Sequence, residues 1–297
     1  MKIILLFASF FVCRIFQNIF TKRTSGLVNG RTQLLTYTSY QYLLCMLFSL
    51  PALFAANFTF PGAHAIVWAV IGGIAMFSCS MCCLMALQSG VLFILTTLFS
   101  SISILIPNTL SIFMFQESMS IPQWIGSFAL IYAAYLLLGC SRDAYKNFSV
   151  KSILFLIGIF IFEGLTMLSS KAFAAYAPSS DAAIYTSFAF GTSFLLTAVM
   201  SAFQMRKEQK ALRDVMNKNL FVCGLVLSAM LFIIMYMSTI AAGLVPAVIL
   251  YSVVSGGSLI LSLGTAAVCF KEPVSKKNII GLVIAIISLI VINAMPA

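Results

Sequence analysis

The chain has 297 residues, of which 62% are hydrophobic and 8% are charged, and its formal net charge is +10 at pH 7. Soluble domains typically carry about 25% charged residues, so this composition excludes a soluble enzyme and indicates an integral membrane protein. The basic residues lie in short connections between apolar segments and form no basic domain. We therefore expect no nucleic-acid partner.

Ten apolar segments follow one another along the chain, and each is about long enough to cross a bilayer as a helix. They cover approximately residues 3–21, 33–56, 65–88, 91–115, 121–140, 152–176, 182–204, 220–241, 244–270 and 278–295. The sequence therefore predicts an all-α integral membrane fold of ten transmembrane helices, with no soluble domain of any size. Pro107 and Pro246 lie inside the fourth and ninth segments, where each is expected to be a hinge or a tolerated break.

The first and sixth segments are similar in sequence. KIILLFASFFVCRIFQNIFTK (2–22) and KSILFLIGIFIFEGLTMLSSK (151–171) align without a gap when shifted by 149 residues. Two further pairs match in the same order: YTSYQY (37–42) with YTSFAF (185–190), and FQESMSIPQWIG (115–126) with FKEPVSKKNIIG (270–281). We therefore predict two five-helix repeats, residues 1–149 and 150–297. Because five is an odd number, the second repeat is expected to be inverted in the membrane.

The distribution of basic residues predicts the orientation. Fourteen Lys and Arg residues fall in the connections after the first, fifth, seventh and ninth segments, whereas only Lys2 and Lys171 are assigned to the other face. The positive-inside rule places the more basic face in the cytoplasm. We therefore expect a multi-pass protein of a bacterial inner (plasma) membrane with both termini extracytoplasmic. Inverted repeats with sites at the midplane are typical of secondary transporters.

An acid and a base occupy equivalent positions in the two repeats. Glu163 lies roughly 18 Å from Lys151 along a helix, near the middle of a hydrocarbon layer about 30 Å thick. An ionisable side chain at this depth costs at least a few kcal/mol and by default marks a functional site. Arg14 is the residue of the first repeat that aligns with Glu163. A structural ion pair between the two is the alternative interpretation.

Polar side chains at helical spacing extend this candidate site. The predicted substrate-binding residues are Arg14, Gln17, Tyr40, Gln41, Glu163, Tyr251 and Ser255, and Glu163 is also the predicted coupling residue. For Tyr251, cavity lining and packing are both open. Charged and polar groups at membrane depth are expected to line a cavity between helices and not to face lipid.

Other residues are interpreted as structural. Cys79 and Cys82 form a C-x-x-C inside an apolar segment and are expected to have no histidine or acidic neighbour, so they are assigned to packing. Glu117 and Glu272 precede the fifth and tenth segments and are interpreted as helix-start residues. The chain has no phosphate-binding loop and a single histidine. We therefore expect no nucleotide-driven transport, no cofactor and no metal site.

The chain resembles the drug/metabolite transporter superfamily, specifically its EamA-like ten-helix permeases. The resemblance spans the whole chain and depends on the doubled five-helix unit and on Glu-x8-Gly elements at 117–126 and 272–281. It implies an exporter built from two EamA-like repeats.

The second repeat also resembles a subunit of the small multidrug resistance family. The matching residues are Glu163 with Lys171 eight residues later, and Pro246, Tyr251, Ser255 and Gly256 followed by Gly281. In that family the acid binds protons and substrate in turn, and the resemblance implies this role for Glu163. Two positions differ: Val254 stands where the family has tryptophan, and Arg14 takes the place of the second acid.

We expect a secondary-active transporter that exports small polar metabolites, such as amino acids, by alternating access. Its expected partners are a small-molecule substrate and the lipid bilayer, with protons as the candidate coupling ion. One fixed cation and one fixed anion suit a zwitterion. A proton-coupled multidrug exporter and a non-transporting membrane scaffold or receptor are the alternatives. An enzyme is not expected, because no nucleophile–base pair is visible.

Overall fold

A computed structural model describes residues 2–25, 27–28, 30–55, 61–89, 93–137, 150–177, 182–209, 215–269 and 275–294, and within these ranges it is helical with no strand. The helices are α1 (Lys2–Ser25), α2 (Arg31–Ala55), α3 (Ala63–Gln88), α4 (Phe93–Ile102), α5 (Leu105–Phe115), α6 (Ile121–Leu137), α7 (Val150–Tyr176), α8 (Ala182–Glu208), α9 (Lys218–Leu244), α10 (Ala247–Cys269) and α11 (Lys276–Ala294). The all-α prediction is thus confirmed for the described residues.

Four helical stretches among the described residues are long and apolar enough to cross a membrane: Ala63–Ala86, Val150–Tyr176, Ala182–Glu208 and Lys218–Leu244. Shorter apolar helices cover Leu6–Thr21, Phe99–Phe115, Ile121–Leu136 and Ala247–Leu261. Large apolar side chains such as Phe54 and Phe113 remain about four-fifths exposed. Apolar helices with apolar outer surfaces are compatible with a membrane protein.

The fourth predicted segment is interrupted, because only Ser103 and Ile104 separate α4 from α5. Pro107 explains the break: proline has no backbone N–H, and its ring clashes with the carbonyl four residues earlier. That carbonyl belongs to Ser103 and accepts instead from the Ile106 N–H at 3.0 Å, as in a 3₁₀ turn. The expectation of a break at Pro107 is confirmed.

The chain divides into two compact units, and each unit combines segments from both halves of the sequence. The first unit comprises residues 1–77 and 172–243. In it, α2 packs along α8, around a core that includes Tyr42, Phe173, Tyr185 and Phe190. A Cβ on Gly73 would lie 2.5 Å from the Ala189 carbonyl oxygen, so glycine is required for this close approach.

The second unit comprises residues 78–171 and 244–297. In it, α6 packs along α11, while α10 packs against α5, α6 and α11. The core includes Ile104, Leu130, Ile159 and Leu259. The compact units are defined by contacts in space, whereas the repeats are defined by sequence similarity. The units therefore do not test the repeat boundaries 1–149 and 150–297, which stay a prediction.

Candidate functional site

Glu163 lies beside the interruption between α4 and α5. A Cβ on the next residue, Gly164, would lie 2.6 Å from Ile106 Cβ and 2.8 Å from the Ser103 carbonyl oxygen. Because Gly164 has no side chain, α7 touches the broken segment at this level. Glu163 is partly buried, and its Oε2 accepts a hydrogen bond from Cys79 Sγ at 3.3 Å. The carboxylate is thus positioned by α3 and α7 of the second unit.

This contact corrects the interpretation of Cys79 as a residue with no acidic neighbour. Glu163 lies on α7, far from Cys79 in sequence. The C-x-x-C spacing therefore gave no indication that the two side chains are in contact. Cys82 has the predicted packing role, since its Sγ would lie 2.6 Å from a Cβ placed on Gly158.

Tyr251 joins α10 to α7 one turn from Glu163. Its ring is 1% exposed, and its hydroxyl donates to the Met167 carbonyl oxygen. The same hydroxyl lies 3.1 Å from Ser170 Oγ. Ser255 is partly buried one turn further along α10. Packing is therefore part of what Tyr251 does, and substrate contact by Tyr251 and Ser255 stays a prediction.

A buried ion pair lies at the other end of this region. Lys171 Nζ is 2.8 Å from Glu117 Oε1, with side chains 10% and 17% exposed. Lys171 also donates to the Val245 carbonyl oxygen at 2.9 Å. Glu117 Oε2 accepts from the Ala247 N–H at 2.8 Å. The two charged side chains therefore bind backbone groups on both sides of Pro246, and we call this arrangement the Pro246 clamp.

Local backbone geometry places Glu117 in the clamp. Gln116 ends α5 in the left-handed conformation, with φ of 54° and ψ of 30°. This is a common way to end a helix, although it is more strained for glutamine than for glycine. The turn redirects the chain, so that Glu117 reaches the start of α10 and does not continue along α5.

The clamp corrects three sequence interpretations. Lys171 is a buried residue of α7 and not a charge of an outer connection. Glu117 does serve a helix start, but that of α10 and not that of α6. Pro246 lies ahead of α10, and its carbonyl accepts the Leu250 N–H at 3.0 Å, so it begins this helix and does not kink it. Glu272 lies outside the described residues.

Arg14 and Gln17 lie in α1 of the first unit and contact each other. Arg14 Nη1 donates to Gln17 Oε1 at 2.6 Å, as the spacing of three residues along a helix predicts. Both side chains are partly buried. Gln17 therefore orients the guanidinium.

Tyr40 and Gln41 belong to the interface between α2 and α9. The Tyr40 ring lies 5.0 Å from the Phe221 ring, and its hydroxyl donates to the Phe221 carbonyl oxygen at 3.4 Å. A Cβ on Gly224 would lie 2.7 Å from the Tyr40 ring, so this glycine makes room for it. The Gln41 carbonyl oxygen accepts from Ser228 Oγ at 3.1 Å. These contacts give both residues a packing role beside the predicted one.

The predicted site residues thus divide between the two units. Arg14, Gln17, Tyr40 and Gln41 lie in the first unit, and Glu163, Tyr251 and Ser255 in the second. Within the units, Arg14 contacts Gln17, and Tyr251 binds the same helix that carries Glu163. The predicted relationship between Arg14 and Glu163 stays a prediction.

Sequence reasoning missed Glu117 and Lys171 as partners, and Asn108 altogether. A signal for the first two was present: Lys171 falls inside an apolar segment, and a lysine at that position needs an acid at the same depth. Asn108 is wholly buried in α5, next to Pro107. No repeat or spacing marked it.

Comparisons with known proteins show similarity of fold alone. No family model matches the chain, and no curated protein does. The chain is similar to a solved structure described as "Crystal structure of protein", with a TM-score of 0.75 and 15% sequence identity. The similarity covers 99% of this chain and 96% of the other.

Proposed function

We propose that this chain is a secondary-active membrane transporter that exports small polar metabolites, such as amino acids, by alternating access. The observation that carries the proposal is the position of Glu163, a partly buried carboxylate in the middle of the 27-residue apolar helix α7. Ionisable groups inside membrane helices are rare, and by default they mark substrate or ion pathways.

The interruption beside Glu163 supports the same proposal. Secondary transporters commonly place substrate and coupling ions at discontinuous helices. Here the break at Ser103 and Ile104 lies against Gly164, the residue after the acid. A purely structural acid would not require a broken helix next to it.

Helix pairing supports ten spans in two inverted repeats. If α4 and α5 together form one span, the described helices correspond to the ten predicted segments. Segments that the repeats make equivalent are then neighbours: the second with the seventh (α2 with α8), the fifth with the tenth (α6 with α11) and the fourth with the ninth (α5 with α10). Pairing of equivalent elements is what a pseudo-twofold axis in the membrane plane produces.

The charges favour a zwitterionic substrate. Lys171 is paired with Glu117, and Glu163 is the acid of α7 that we assign to an ammonium group or a proton. The Arg14 guanidinium, oriented by Gln17, offers the planar set of donors that suits a carboxylate. A lipophilic cation would meet Arg14 as a like charge in a medium that screens poorly.

The test is a thermal-shift screen of the purified protein against amino acids, other metabolites and cationic dyes, followed by flux measurements in liposomes. A ligand that binds the folded state raises the apparent melting temperature. We expect zwitterions to stabilise the protein and to be moved across the liposome membrane. Stabilisation by cationic dyes alone would favour the multidrug alternative, and liposomes that move no solute would favour a scaffold or receptor.

A further inference from the structure

Asn108 places a side-chain amide in the interior of the second unit. The residue is 0% exposed, and within the described part of the chain neither Oδ1 nor Nδ2 has a hydrogen-bond partner. A buried polar group without a partner costs about 1–3 kcal/mol, and in an apolar interior bulk water is not at hand to bind it. Such a group is expected to find its partner in another state of the protein or in a bound molecule.

Four contacts fix the directions of the helices around Asn108. Lys171 lies against Glu117 while Gly164 lies against Ile106, so α5 and α7 run in the same direction. Tyr251 binds Met167 while Ala247 lies at the clamp, so α10 runs in the opposite direction to α7.

These directions place Asn108 within about one helical turn of Glu163. Gly164 lies against Ile106, so Glu163 is one residue before this contact along α7 and Asn108 is two residues after it along α5. Because the two helices run in the same direction, the offset is about 4.5 Å at 1.5 Å per residue. The Tyr251 hydroxyl binds Met167, three residues beyond Gly164, so Tyr251 and its neighbour Ser252 belong to the same part of the second unit.

Asn108 lies on the buried face of α5, and this helix packs against α10. Ile104, four residues earlier and on the same face, belongs to a core cluster with residues of α3, α6, α7, α10 and α11, among them Leu259 of α10. On α10 itself, Ser252 is 0% exposed, and its Oγ has no hydrogen-bond partner among the described residues. One amide and one hydroxyl, both lacking partners, thus belong to two helices that pack together.

We propose that Asn108, with Ser252 beside it, forms a specificity subsite that binds the side-chain carboxamide of a zwitterionic substrate whose ammonium group binds Glu163. The subsite rests on the proposed transport function and names its substrate class. The Asn108 Nδ2 group needs a hydrogen-bond acceptor and its Oδ1 needs a donor, and a substrate carboxamide supplies one of each. A site built for hydrogen bonding rejects an apolar isostere, because binding the isostere leaves its buried groups unpaired.

The charge of the second unit agrees with an uncharged side chain. Among its described basic residues, Lys171 is paired in the clamp, and Lys151, Lys276 and Lys277 lie at helix starts. An acidic substrate side chain would find no counterion near Asn108 among them. A basic side chain would find no acid besides Glu117 and Glu163 among the described residues of this unit, and Glu117 is already paired with Lys171.

The experiment measures uptake of L-asparagine and L-leucine, two side chains of similar shape, by liposomes containing the full chain. We expect wild type to prefer asparagine by about tenfold or more. Asn108→Leu should lose this preference while leucine transport persists. The free variant should be at least as stable as wild type, because the substitution removes a buried group that has no partner.

Gln123→Leu is the matched control. Gln123 is also a buried amide of the second unit, but its Nε2 donates to the Ile292 carbonyl oxygen and its Oε1 accepts from the Ser120 N–H. Its loss should lower stability and leave the asparagine-to-leucine ratio unchanged. Asn108→Ala replaces Asn108→Leu if the leucine variant is not monodisperse.

The outcomes separate this inference from the proposed function. If wild type moves both amino acids equally well, or if folded Asn108→Leu retains the preference, the subsite is overturned while zwitterion transport stands. If wild type binds and moves no zwitterion at all, the proposed function fails, and the subsite fails with it.

Discussion

Lys171 Nζ lies 2.8 Å from Glu117 Oε1, and each of these side chains also binds a helix end whose partial charge is opposite to its own. The lysine donates to a carbonyl next to the C-terminus of α9, and the glutamate accepts from the first N–H of α10. Helix C-termini attract cations and N-termini attract anions, so both charges are at their favourable ends. The ion pair therefore fixes where one helix stops and the next one starts.

Removing one partner of this pair should destabilise the protein strongly. Lys171→Met leaves the Glu117 carboxylate buried beside one N–H, and the loss of one partner of a buried pair costs about 3–5 kcal/mol. We expect a clear drop in the apparent melting temperature in detergent. Replacing both partners, as Lys171→Met with Glu117→Leu, should recover part of the lost stability.

The sharper test is the exchange Lys171→Glu with Glu117→Lys. It keeps an ion pair but should not rescue stability, since the lysine would then face an N–H and the glutamate a carbonyl. A fully stable exchanged pair would show that the helix ends are not involved.

Glu163→Gln should impair transport without preventing folding. The amide has nearly the same shape but holds neither a proton nor a cation, and losing a charged hydrogen bond of about 1.5–3 kcal/mol lowers a rate by roughly 10- to 150-fold. Flux in liposomes is to be measured at mildly acidic and mildly alkaline pH, with monodispersity as the folding control. Cys79→Ala, which removes the thiol bound to Glu163 and keeps the charge, is the matched variant and should be less impaired. Wild-type flux of Glu163→Gln at both pH values would make the acid structural.

Arg14→Ala should abolish amino-acid binding and preserve, or improve, binding of cationic dyes. The guanidinium is the proposed partner of a substrate carboxylate, and its removal also removes a repulsive charge from the path of a cation. Binding is to be read from thermal shifts, after monodispersity has been established. Gln17→Ala, which removes the group that orients Arg14, should weaken zwitterion binding less. If folded Arg14→Ala binds zwitterions as tightly as wild type does, the zwitterion proposal fails.

Tyr251→Phe separates the packing role of this residue from a binding role. The hydroxyl binds Met167 and Ser170 of α7, so its loss should lower stability by about 1 kcal/mol. Substrate affinity should change little if packing is the whole role. An affinity loss of about tenfold or more, with normal stability, would instead assign Tyr251 to the substrate.

Both termini are expected outside the cytoplasm. The measurement is a pair of reporters fused after Ala297, one active only in the cytoplasm and the other only outside it. Activity of the outside reporter is expected, because the positive-inside rule assigns the basic connections to the cytoplasmic face. A fusion after Arg206, at the basic end of α8, is the internal control and should give the cytoplasmic signal. The reverse result at Ala297 would mean that one span is miscounted.

The sequence predicts contacts between residues that are close together in the chain better than contacts between distant residues. The helical character follows from runs of apolar residues, and the break before Pro107 follows from the missing N–H; both are local properties, and both are found in the described residues. The bond between Arg14 and Gln17 is also local, because three residues along a helix bring side chains together.

The contacts that sequence reasoning missed join residues far apart in the chain. Glu117 binds Ala247, and Cys79 binds Glu163, and no periodicity links either pair. Asn108 was missed for a different reason. Its burial depends on tertiary packing, whereas in sequence it is only a polar residue after a proline.

The division of the chain into compact units has a consequence for biosynthesis. The first unit needs residues 172–243 to join residues 1–77, and the second needs residues 244–297 to join residues 78–171. A nascent chain that ends at residue 149 therefore contains no complete unit, although it contains a whole predicted repeat. The first unit can be complete only after α9 has been synthesised. In the second unit, α5 and α6 pack against α10 and α11, which are synthesised last among the described helices. Before α10 is made, Glu117 and Lys171 lack the Val245 carbonyl and the Ala247 N–H that they bind in the folded protein, so the clamp can form only once α10 has entered.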